Sequence, residues 1–376
     1  MNMTSVLVTG GAGFVGSHIV DEYVDAGYDV TVVDNLTEQV HAEKPEYVND
    51  DAEYVWGDVR NRELMTDLLE SVDVLNHQAS AVGVGQSMYE IEEYVDVNTL
   101  ATARILDIVV NDDIDLEKIV VASSMSIYGE GEYRCPDCEE RRRPSLRSEE
   151  QMAREKWEHV CGNCGTDLEP LPTPESKPRD STSIYAITKK DQEEMCLSIG
   201  RAYDIPTVAL RYFNIYGSRQ ALDNPYTGVC AIFSSRIKND NPPLVFEDGE
   251  QTRDFIHVSD VARANRLAVE ADATDVAVNV GTGDPTTING IAETLIDLYG
   301  KSNTLSPKIA NDYRQGDIRH CYADTTSAAN ALGFEAEVGF EEGMRELVAW
   351  GREQEAEDRF EEAHAELEEK GLVGED

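Results

Sequence analysis

The chain has 376 residues, of which 41% are hydrophobic, and this is enough apolar material to bury the cores of about two domains. Asp and Glu number 74 against 32 Lys and Arg, which gives a formal net charge of −42 at pH 7. This balance argues against sequence-independent nucleic-acid binding, which depends on clustered Lys and Arg. The absence of an apolar run of about 18 residues argues against a membrane span.

The acidic residues are spread along the whole chain. Two explanations compete: a disordered acidic tail, or an acid-coated folded surface suited to high salt, where screening suppresses repulsion between like charges. The even spread favours the second explanation and predicts a halophilic protein that requires salt. The amino terminus lacks the pattern of a signal peptide, so we expect a cytoplasmic location.

The first predicted elements are a buried strand, a glycine-rich turn and an apolar-periodic helix, in the run Ser5-Val-Leu-Val-Thr-Gly10-Gly-Ala-Gly13-Phe-Val-Gly16. Gly10 permits the tight turn, Gly13 lets backbone amides approach a pyrophosphate, and Gly16 allows close packing of the helix on the strand. The context predicts a dinucleotide site, although the spacing is Gly-x-x-Gly-x-x-Gly. The alternative is that the glycines serve only as a turn.

A second strand at 30–33 ends at Asp34, 18 residues beyond Gly16. An acid about 20 residues after the glycines binds a ribose 2′-hydroxyl in dinucleotide sites. Because a carboxylate repels a 2′-phosphate, the pattern predicts NAD rather than NADP as the cofactor.

Strand and helix patterns then alternate through the first half of the chain, which predicts a doubly wound parallel sheet of the Rossmann type. The further strand candidates are 52–56, 72–76, 118–122 and 207–211, and the clearest helix candidates are 61–70, 87–111 and 183–202.

Four cysteines form two C-x-x-C pairs, Cys135 with Cys138 and Cys161 with Cys164. This spacing predicts a four-cysteine zinc site, closed and therefore structural. Disulfides are the alternative, but the reducing cytoplasm opposes them. Cys196, Cys230 and Cys321 are isolated and are interpreted as packing residues.

The cysteine segment interrupts the alternating pattern and sets the predicted domains. Residues 1–130 and 178–216 form the dinucleotide-binding domain, residues 131–177 an inserted zinc-ribbon-like module, and residues 217–376 mainly a smaller mixed α/β substrate domain. The last of these ends in a long acidic helix pattern at 341–369.

Tyr185 and Lys189 lie four residues apart on the predicted helix 183–202, so both project from one face. A phenol is a poor base at neutral pH, and a neighbouring ammonium lowers its pKa. The pair therefore predicts a proton-transfer site, although an isolated Tyr-x-x-x-Lys pattern also occurs on surface helices.

Together these features resemble the extended short-chain dehydrogenase/reductase superfamily of nucleotide-sugar epimerases and dehydratases, over nearly the whole chain. The segments that carry the resemblance, besides the glycine turn and Tyr185/Lys189, are Gly57-Asp-Val59, His77-Gln-Ala-Ser80, Val97-Asn98, Ser123-Ser-Met-Ser-Ile-Tyr-Gly129, Arg211-Tyr-Phe-Asn214, Thr252-Arg-Asp-Phe-Ile-His-Val-Ser-Asp260, Asn279-Val-Gly-Thr-Gly283 and Arg314-Gln-Gly-Asp317.

The resemblance implies roles for individual residues. It places the adenine against Asp58 and Val59 and the rest of the cofactor against a set comprising Phe14, Val15, Asn35, Ala79, Ser80, Asn98 and Tyr212. It assigns the diphosphate and nucleotide of a substrate to Asn214, Arg253 and Arg314, since arginine suits bidentate contacts with phosphate.

The segment after the fifth strand distinguishes the reactions of this superfamily. Dehydratases carry an Asp-Glu pair there for general acid and base catalysis, whereas this chain has Met125 and Ser126. Ser124-Met-Ser126 instead resembles the Ser-Ala-Thr of UDP-galactose 4-epimerases, whose hydroxyls bond the sugar O4. The resemblance therefore implies NAD-dependent C4 epimerisation of a nucleotide-diphosphate sugar, with Ser124, Tyr185 and Lys189 as catalytic residues and Ser126 contacting the substrate.

Two further expectations follow from the resemblance. The runs at 81–91 and 224–229, with the cysteine segment, are similar to dTDP-L-rhamnose 4-epimerases, while UDP-glucose and UDP-N-acetylhexosamine epimerases share most of the other features. The helices at 87–111 and 183–202 resemble the pair that forms a four-helix interface, which implies a homodimer. A 4,6-dehydratase, a 4-keto reductase or decarboxylase, and a non-enzymatic NAD-binding scaffold remain as alternatives.

Overall fold

The computed structural model describes residues 3–41, 43–224, 226, 228–310, 312–314 and 316–374. Pro225, Thr227 and Gln315, which belong to two of the segments named above, lie outside the described residues.

The strands that the structure describes are β1 (Ser5–Thr9), β2 (Asp29–Asp34), β3 (Glu53–Trp56), β4 (Val74–His77), β5 (Lys118–Ser124), β6 (Glu132–Arg134), β7 (Arg141–Arg142), β8 (Glu169–Leu171), β9 (Thr207–Tyr212), β10 (Asn214–Tyr216), β11 (Leu244–Val245), β12 (Thr252–His257), β13 (Val276–Val280), β14 (Pro285–Thr287), β15 (Lys308–Ile309), β16 (Tyr313–Arg314), β17 (His320–Cys321) and β18 (Val373–Gly374).

The α-helices are α1 (Phe14–Asp25), α2 (Arg62–Leu69), α3 (Ile91–Tyr94), α4 (Ala101–Asn111), α5 (Glu149–Met152), α6 (Ile184–Tyr203), α7 (Val229–Lys238), α8 (Val258–Glu270), α9 (Ile288–Leu298), α10 (Thr326–Leu332), α11 (Phe340–Glu353) and α12 (Phe360–Glu369). A π-helical segment, Val95–Leu100, joins α3 to α4, and short 3₁₀ turns cover Gln86–Met88 and Met125–Tyr128. No helix in the described part of the chain is both long and apolar enough to cross a membrane.

The main sheet has seven parallel strands in the order β3-β2-β1-β4-β5-β9-β13. Its two faces are buried because alternate residues of each strand point in opposite directions: Val6 and Val8 pack towards α1, and Leu7 packs on the side of α2 and α4. The prediction of a doubly wound parallel sheet is confirmed. The order reverses between β1 and β4, which is where such folds bind ligands.

The outermost strand, β13, comes from the region 217–376 that the sequence assigns mainly to the substrate domain. It pairs with β9 from Val276 to Val280, and α8, which precedes it, packs on α1. The polypeptide therefore returns to the main sheet within this region. The remaining carboxy-terminal elements form small sheets around β12 and a separate apolar cluster that includes residues of α7, α9 and α11.

The segment 131–177 contains a three-stranded antiparallel sheet in the order β7-β6-β8. The first strand, β6, begins at Glu132, only eight residues after the end of β5. The segment thus leaves the main sheet directly beside the point where β5 ends.

The prediction of one helix over 341–369 is wrong, because α11 and α12 are separated by a non-helical stretch at 354–359. The end of α7 satisfies the backbone carbonyls at this break. Lys238 donates hydrogen bonds to the carbonyl oxygens of Gly351 and Gln354, and Asn239 donates to that of Ala356 at 2.9 Å. The break lets α12 turn back across the molecule.

Candidate active site

A cavity of about 770 Å³ opens at the carboxyl ends of the central strands. Every predicted cofactor, substrate and catalytic residue lines it except Asn98. The structure thus brings together side chains that are separated by up to 304 residues in sequence, from Gly10 to Arg314.

The glycine turn forms one end of the cavity. Gly10 has a φ of +70°, which favours glycine, and a Cβ on Gly16 would lie 2.1 Å from the Gly10 carbonyl oxygen. Helix α1 begins at Phe14 with no side-chain hydrogen bond from Gly13 and no acidic residue in its first turn. Its amino-terminal amides therefore suit a phosphate, as a pyrophosphate-containing cofactor requires.

Asp34 lies at the end of β2 and is largely buried. Its carboxylate accepts hydrogen bonds from the amides of Ala12, at 3.0 Å, and Leu36, at 2.8 Å. Asp34 thereby holds the glycine turn against β2 while lining the cavity.

Asn35 follows Asp34 and contacts Asp58. Asn35 Nδ2 donates a hydrogen bond to Asp58 Oδ2 at 3.2 Å. Hydrogen bonds from Arg60 are the main reason that the pKa of Asp58 is lowered. Val59 adjoins them in the cavity wall, and so do Phe14 and Val15 at the start of α1.

Asn98 is fully buried and supports the cavity from behind instead of lining it. Its Oδ1 accepts hydrogen bonds from the Ser80 hydroxyl and the Ala81 amide at 3.1 and 2.7 Å. Its Nδ2 donates to Thr188 Oγ1 at 3.0 Å, on the helix that carries Tyr185 and Lys189. Asn98 thus links the turn containing Ala79 and Ser80 to α6.

Tyr212 closes the same end of the cavity at the end of β9. Its hydroxyl lies 3.1 Å from both Gln78 Oε1 and Asn265 Oδ1, to either of which it can donate its one hydrogen, and accepts a hydrogen bond from Asn265 Nδ2 at 2.9 Å. These buried amides fix the Tyr212 ring, which is only 8% exposed.

The serines after β5 form a hydrogen-bonded pair. Ser126 Oγ donates to Ser124 Oγ at 2.9 Å, and the Ser124 hydroxyl faces the cavity together with Tyr185, whose pKa it lowers. Ser183 begins α6 by capping it, accepting a hydrogen bond from the Ala186 amide at 3.1 Å. The cap sets the position of the first helical turn and therefore of Tyr185.

Lys189 projects from the next turn of α6 and donates to the Ala122 carbonyl oxygen at 3.0 Å. Burial lowers the pKa of Lys189 to about 7 and raises the pKa of Tyr185 to about 12, with the Ser124 hydrogen bond opposing the latter shift. In the ligand-free protein, the Tyr185 pKa is therefore not lowered as expected, because burial disfavours both the Tyr185 phenolate and the Lys189 ammonium.

Asn214, Arg253 and Arg314 line the opposite part of the cavity. Among the described residues, Asn214 Oδ1 and Arg314 Nε have no hydrogen-bond partner. The Arg314 guanidinium lies 4.1 Å from the centroid of the Phe246 ring, and burial lowers its pKa. A half-buried guanidinium whose Nε has no hydrogen-bond partner is a fitting contact for an anion.

Arg253, unlike Arg314, donates hydrogen bonds to the protein backbone. Its Nη2 donates to the Ile318 carbonyl oxygen at 2.6 Å and its Nη1 to the Arg319 carbonyl oxygen at 3.0 Å. It therefore holds the backbone that follows Arg314 while it lines the cavity.

Sequence reasoning missed the cavity residues on α12, namely Phe360, Ala363, His364 and Leu367. Their spacing is that of an ordinary apolar helix face, so only tertiary structure reveals what this face covers. His364 lies between Phe246 and Phe360, at ring-centroid distances of 5.7 and 5.6 Å. Strand β18 pairs with β16, which carries Arg314, and so fixes the end of this cover.

The four cysteines lie together outside the cavity. Their sulfur atoms are all within 4.8 Å of one another, with separations of 3.4 Å for Cys135–Cys164, 3.5 Å for Cys138–Cys164 and 3.8 Å for Cys138–Cys161. A tetrahedral zinc ion with bonds of about 2.3 Å would separate sulfurs by roughly 3.8 Å. The arrangement fits such an ion, and all seven cysteines are free of disulfides.

Comparisons with known proteins agree with this geometry. Residues 6–157 and 159–281 match the NAD dependent epimerase/dehydratase family. The dTDP-L-rhamnose 4-epimerase of Burkholderia thailandensis is 33% identical over 351 residues, which covers 92% of this chain and 94% of that protein. A putative UDP-glucose 4-epimerase of Methanocaldococcus jannaschii is also 33% identical, with coverage of 92% and 97%.

Solved structures are similar along the same length. The UDP-glucose 4-epimerase of Thermotoga maritima with UDP-glucose has a TM-score of 0.76 and 30% identity, covering 93% of this chain and 99% of that one. The Thermus thermophilus UDP-glucose 4-epimerase complex with NAD has a TM-score of 0.73 and 28% identity, with coverage of 94% and 100%. The chain belongs to the NAD dependent epimerase/dehydratase family, as its resemblance to nucleotide-sugar epimerases and dehydratases predicted.

Proposed function

We propose that this protein is an NAD-dependent 4-epimerase of a nucleotide-diphosphate sugar. The observation that carries the proposal is that the hydrogen-bonded pair Ser126–Ser124 lies with Tyr185 and Lys189 in the cavity that the glycine turn and Arg314 also line. The names of the related proteins, which are sugar nucleotide 4-epimerases, support it.

In this mechanism the substrate diphosphate is held by Arg314, with Arg253 and Asn214 nearby, so that the sugar reaches Ser124 and Tyr185. When bound, NAD supplies a hydride acceptor for the sugar C4 and a positive charge. As a phenolate, kept ionised by the positive charges of Lys189 and bound NAD, Tyr185 takes the proton of the 4-hydroxyl. Lys189 would also bond the nicotinamide ribose. Ser124 orients O4 and relays the proton, and Ser126 contacts the substrate and fixes Ser124. The 4-keto sugar rotates in the site, so that C4 is reduced on its other face. No net oxidation results.

Cofactor contacts are proposed for the set that lines the other end of the cavity: Gly10, Gly13, Phe14, Val15, Gly16, Asp34, Asn35, Asp58, Val59, Ala79, Ser80, Tyr185, Lys189 and Tyr212. Asn98 is proposed to act through Ser80 and Ala81, which it holds by hydrogen bonds. The carboxylate of Asp34 supports NAD over NADP.

Dehydration is disfavoured because the two positions that would supply an acid and a base hold Met125 and Ser126. A decarboxylase or reductase on the same scaffold would change the amount of NADH, whereas an epimerase would not. A relative named UDP-N-acetyl-alpha-D-glucosaminuronate decarboxylase, 29% identical to this chain, makes that measurement necessary.

The sugar is proposed to be dTDP- or UDP-linked, with dTDP-L-rhamnose and UDP-glucose as the leading types. The test is to incubate the purified protein with a panel of such sugars and follow the anomeric NMR signals. Tyr185→Phe should abolish turnover while leaving NAD bound, because the ring remains and only the hydroxyl is lost. A fully active Tyr185→Phe protein would refute the mechanism.

A structural zinc ion is proposed for Cys135, Cys138, Cys161 and Cys164. The sulfur separations support it, and thiolates at this spacing are typical zinc ligands. The need for reduced thiols also supports a cytoplasmic location.

A homodimer is proposed to form through the helical face around α3, α4 and α6. Five large apolar side chains on this face are each at least 40% exposed, namely Met88, Ile91, Val95, Leu100 and Ile187. Such a group of exposed apolar residues is typical of an interface. Light scattering should give the mass of a dimer for the native chain and of a monomer for an Ile91→Asp, Val95→Asp double variant.

A further inference from the structure

A buried cluster of charged side chains joins the cysteine-containing insert to the substrate side of the cavity. Its members, here called the buried charge cluster, are Glu130, Arg147, Glu158, His159, Glu247, Asp248, Arg319 and His320. Three of them, Arg147, Glu158 and His159, belong to the insert 131–177. The insert is therefore connected to the rest of the molecule through a buried ion pair, Arg147–Glu247, and through the partly exposed pairs of Glu158.

Arg147 is the central contact of the insert. Its side chain is completely buried, and it binds Glu247 in a bidentate manner, with N–O distances of 2.7 and 2.8 Å. The same guanidinium donates to the backbone carbonyl oxygen of Asp317 at 3.1 Å. One side chain of the insert thus holds both a carboxylate and the backbone of a cavity-lining loop.

The described residues of that loop are 312–314 and 316–320, here called the Arg314 loop. The Glu247 amide donates to the Asp312 carbonyl oxygen at 2.9 Å, before Arg314, whereas Arg147 holds Asp317 after it. The Glu247–Arg147 pair therefore fixes both flanks of the Arg314 segment.

Arg319 extends the same arrangement. Its guanidinium contacts Glu158 of the insert at 2.6 Å, Glu247 at 3.0 Å and Asp248 at 2.7 Å. Its amide donates to Glu130 at 2.8 Å. The pKa of Glu130 is lowered even though burial opposes this, because the contact with His159 at 3.0 Å, the hydrogen bond from the Arg319 amide and the charge of Arg147 outweigh burial.

Buried ion pairs contribute little net stability, because the cost of desolvating the charges offsets their attraction. Their directional geometry instead fixes the groups they join. Here the fixed group is the loop that presents Arg314 to the cavity. Arg147 itself does not line the cavity, so its effect on a ligand must be indirect.

We propose that Arg147 is a positioning residue for the substrate, through which the cysteine-containing insert holds the Arg314 loop at Asp312 and Asp317 and so orients Arg314 towards the diphosphate. This inference rests on the proposed function for the identity of the ligand. It assigns the insert a role in substrate affinity, in addition to any role in folding.

The test compares Arg147→Met and Arg147→Lys with Arg134→Met. Arg134 is a matched control because it belongs to the same insert but pairs with Glu169 at the surface, where both side chains are half exposed. The readouts are KM and kcat for the nucleotide sugar, the Kd of UDP and dTDP by calorimetry, and the NAD content per chain.

Arg147→Met should raise KM and the Kd of the nucleoside diphosphate about tenfold or more, since a small displacement of a binding group costs this much or more. The kcat and the NAD content should stay within about twofold of the native values. Arg147→Lys should give an intermediate rise, because an ammonium keeps the charge but cannot hold two carboxylate oxygens and a carbonyl at once. Arg134→Met should match the native protein.

A native KM and Kd in a folded Arg147→Met protein would overturn the proposal. If Arg147→Met does not fold, native values in Arg147→Lys would overturn it equally, because Arg147 would then serve stability alone. A loss of kcat with unchanged KM and Kd would also contradict it. The calorimetry needs no turnover. Weaker binding of the nucleoside diphosphate to the Arg147→Met protein would therefore support the positioning role even if no epimerisation is found.

Discussion

Ser126 donates a hydrogen bond to the hydroxyl of Ser124 at 2.9 Å, which leaves the Ser124 hydrogen free to point to a third group. The Tyr185 phenol, which lines the same cavity and whose pKa Ser124 lowers, is the proposed third group. Ser124→Ala should therefore lower kcat by about 100-fold or more, the usual contribution of a proton-transfer group. The NAD content should not change. Epimerisation followed by NMR is the measurement, and a Ser124→Ala protein as active as the native one would remove the relay from the mechanism.

Arg314 faces the cavity with Phe246 behind it, and its Nε has no partner among the described residues. Arg314→Met should raise KM by about 10- to 100-fold, since a charged hydrogen bond contributes roughly 1.5–3 kcal/mol. The kcat should change much less. Arg345→Met is the control, because Arg345 pairs with Glu341 on the exposed face of α11. Equal KM values for the two variants would contradict a diphosphate contact at Arg314.

Burial of Lys189 makes the stability of the ligand-free protein depend on pH. Its pKa falls from 10.5 to about 7, so below about pH 7 the folded state carries the full cost of a buried ammonium. Between about pH 7 and pH 10.5, Lys189 is protonated in the unfolded chain but not in the folded chain. The cost therefore decreases as the pH rises through this range.

Lys189→Met should accordingly stabilise the ligand-free protein by at least about 1 kcal/mol at pH 7 and by less at pH 10. Urea unfolding at the two pH values measures this difference. Lys190→Met is the control on the same helix, because Lys190 is 37% exposed and lies 4.0 Å from Glu194. A Lys189→Met effect that is the same at both pH values would argue against a buried ammonium.

The cysteine cluster should hold about one zinc ion per chain, as measured by elemental analysis of protein purified under reducing conditions. Cys161→Ser should lose the metal and melt at a lower temperature, because the metal's binding energy contributes to folding. Cys230→Ala, outside the cluster, should keep the metal. Retention of a full zinc content by Cys161→Ser would place the ion elsewhere.

The net charge of −42 should make the protein depend on salt. Raising KCl from about 0.1 M to molar concentration shortens the screening length from about 10 to 3 Å and weakens repulsion between surface carboxylates. The melting temperature should therefore rise with KCl. Equal or greater stability at low salt would contradict the interpretation of an acid-coated surface adapted to high salt.

Local patterns sufficed to predict the glycine turn, the central strands and the position of Tyr185 and Lys189 on one helix. Each of these depends on residues close in sequence, where the spacing of side chains sets their direction. The break between α11 and α12 and the return of β13 to the main sheet could not be predicted in this way. Lys238, which satisfies the carbonyls at the break, lies 113 residues before Gly351.

By itself, the sequence determined the family, the cofactor class and the residue types of the site. This was possible because few residue types can adopt the backbone conformation of the glycine turn or supply the chemistry of the site. Only the tertiary structure decided how those residues act on one another. It placed the Ser124–Ser126 pair in one cavity with Tyr185, set α12 over the cavity, and joined the insert to the Arg314 loop through Arg147. It also reversed the expected shift of the Tyr185 pKa, because desolvation depends on how deeply the completed fold buries the phenol.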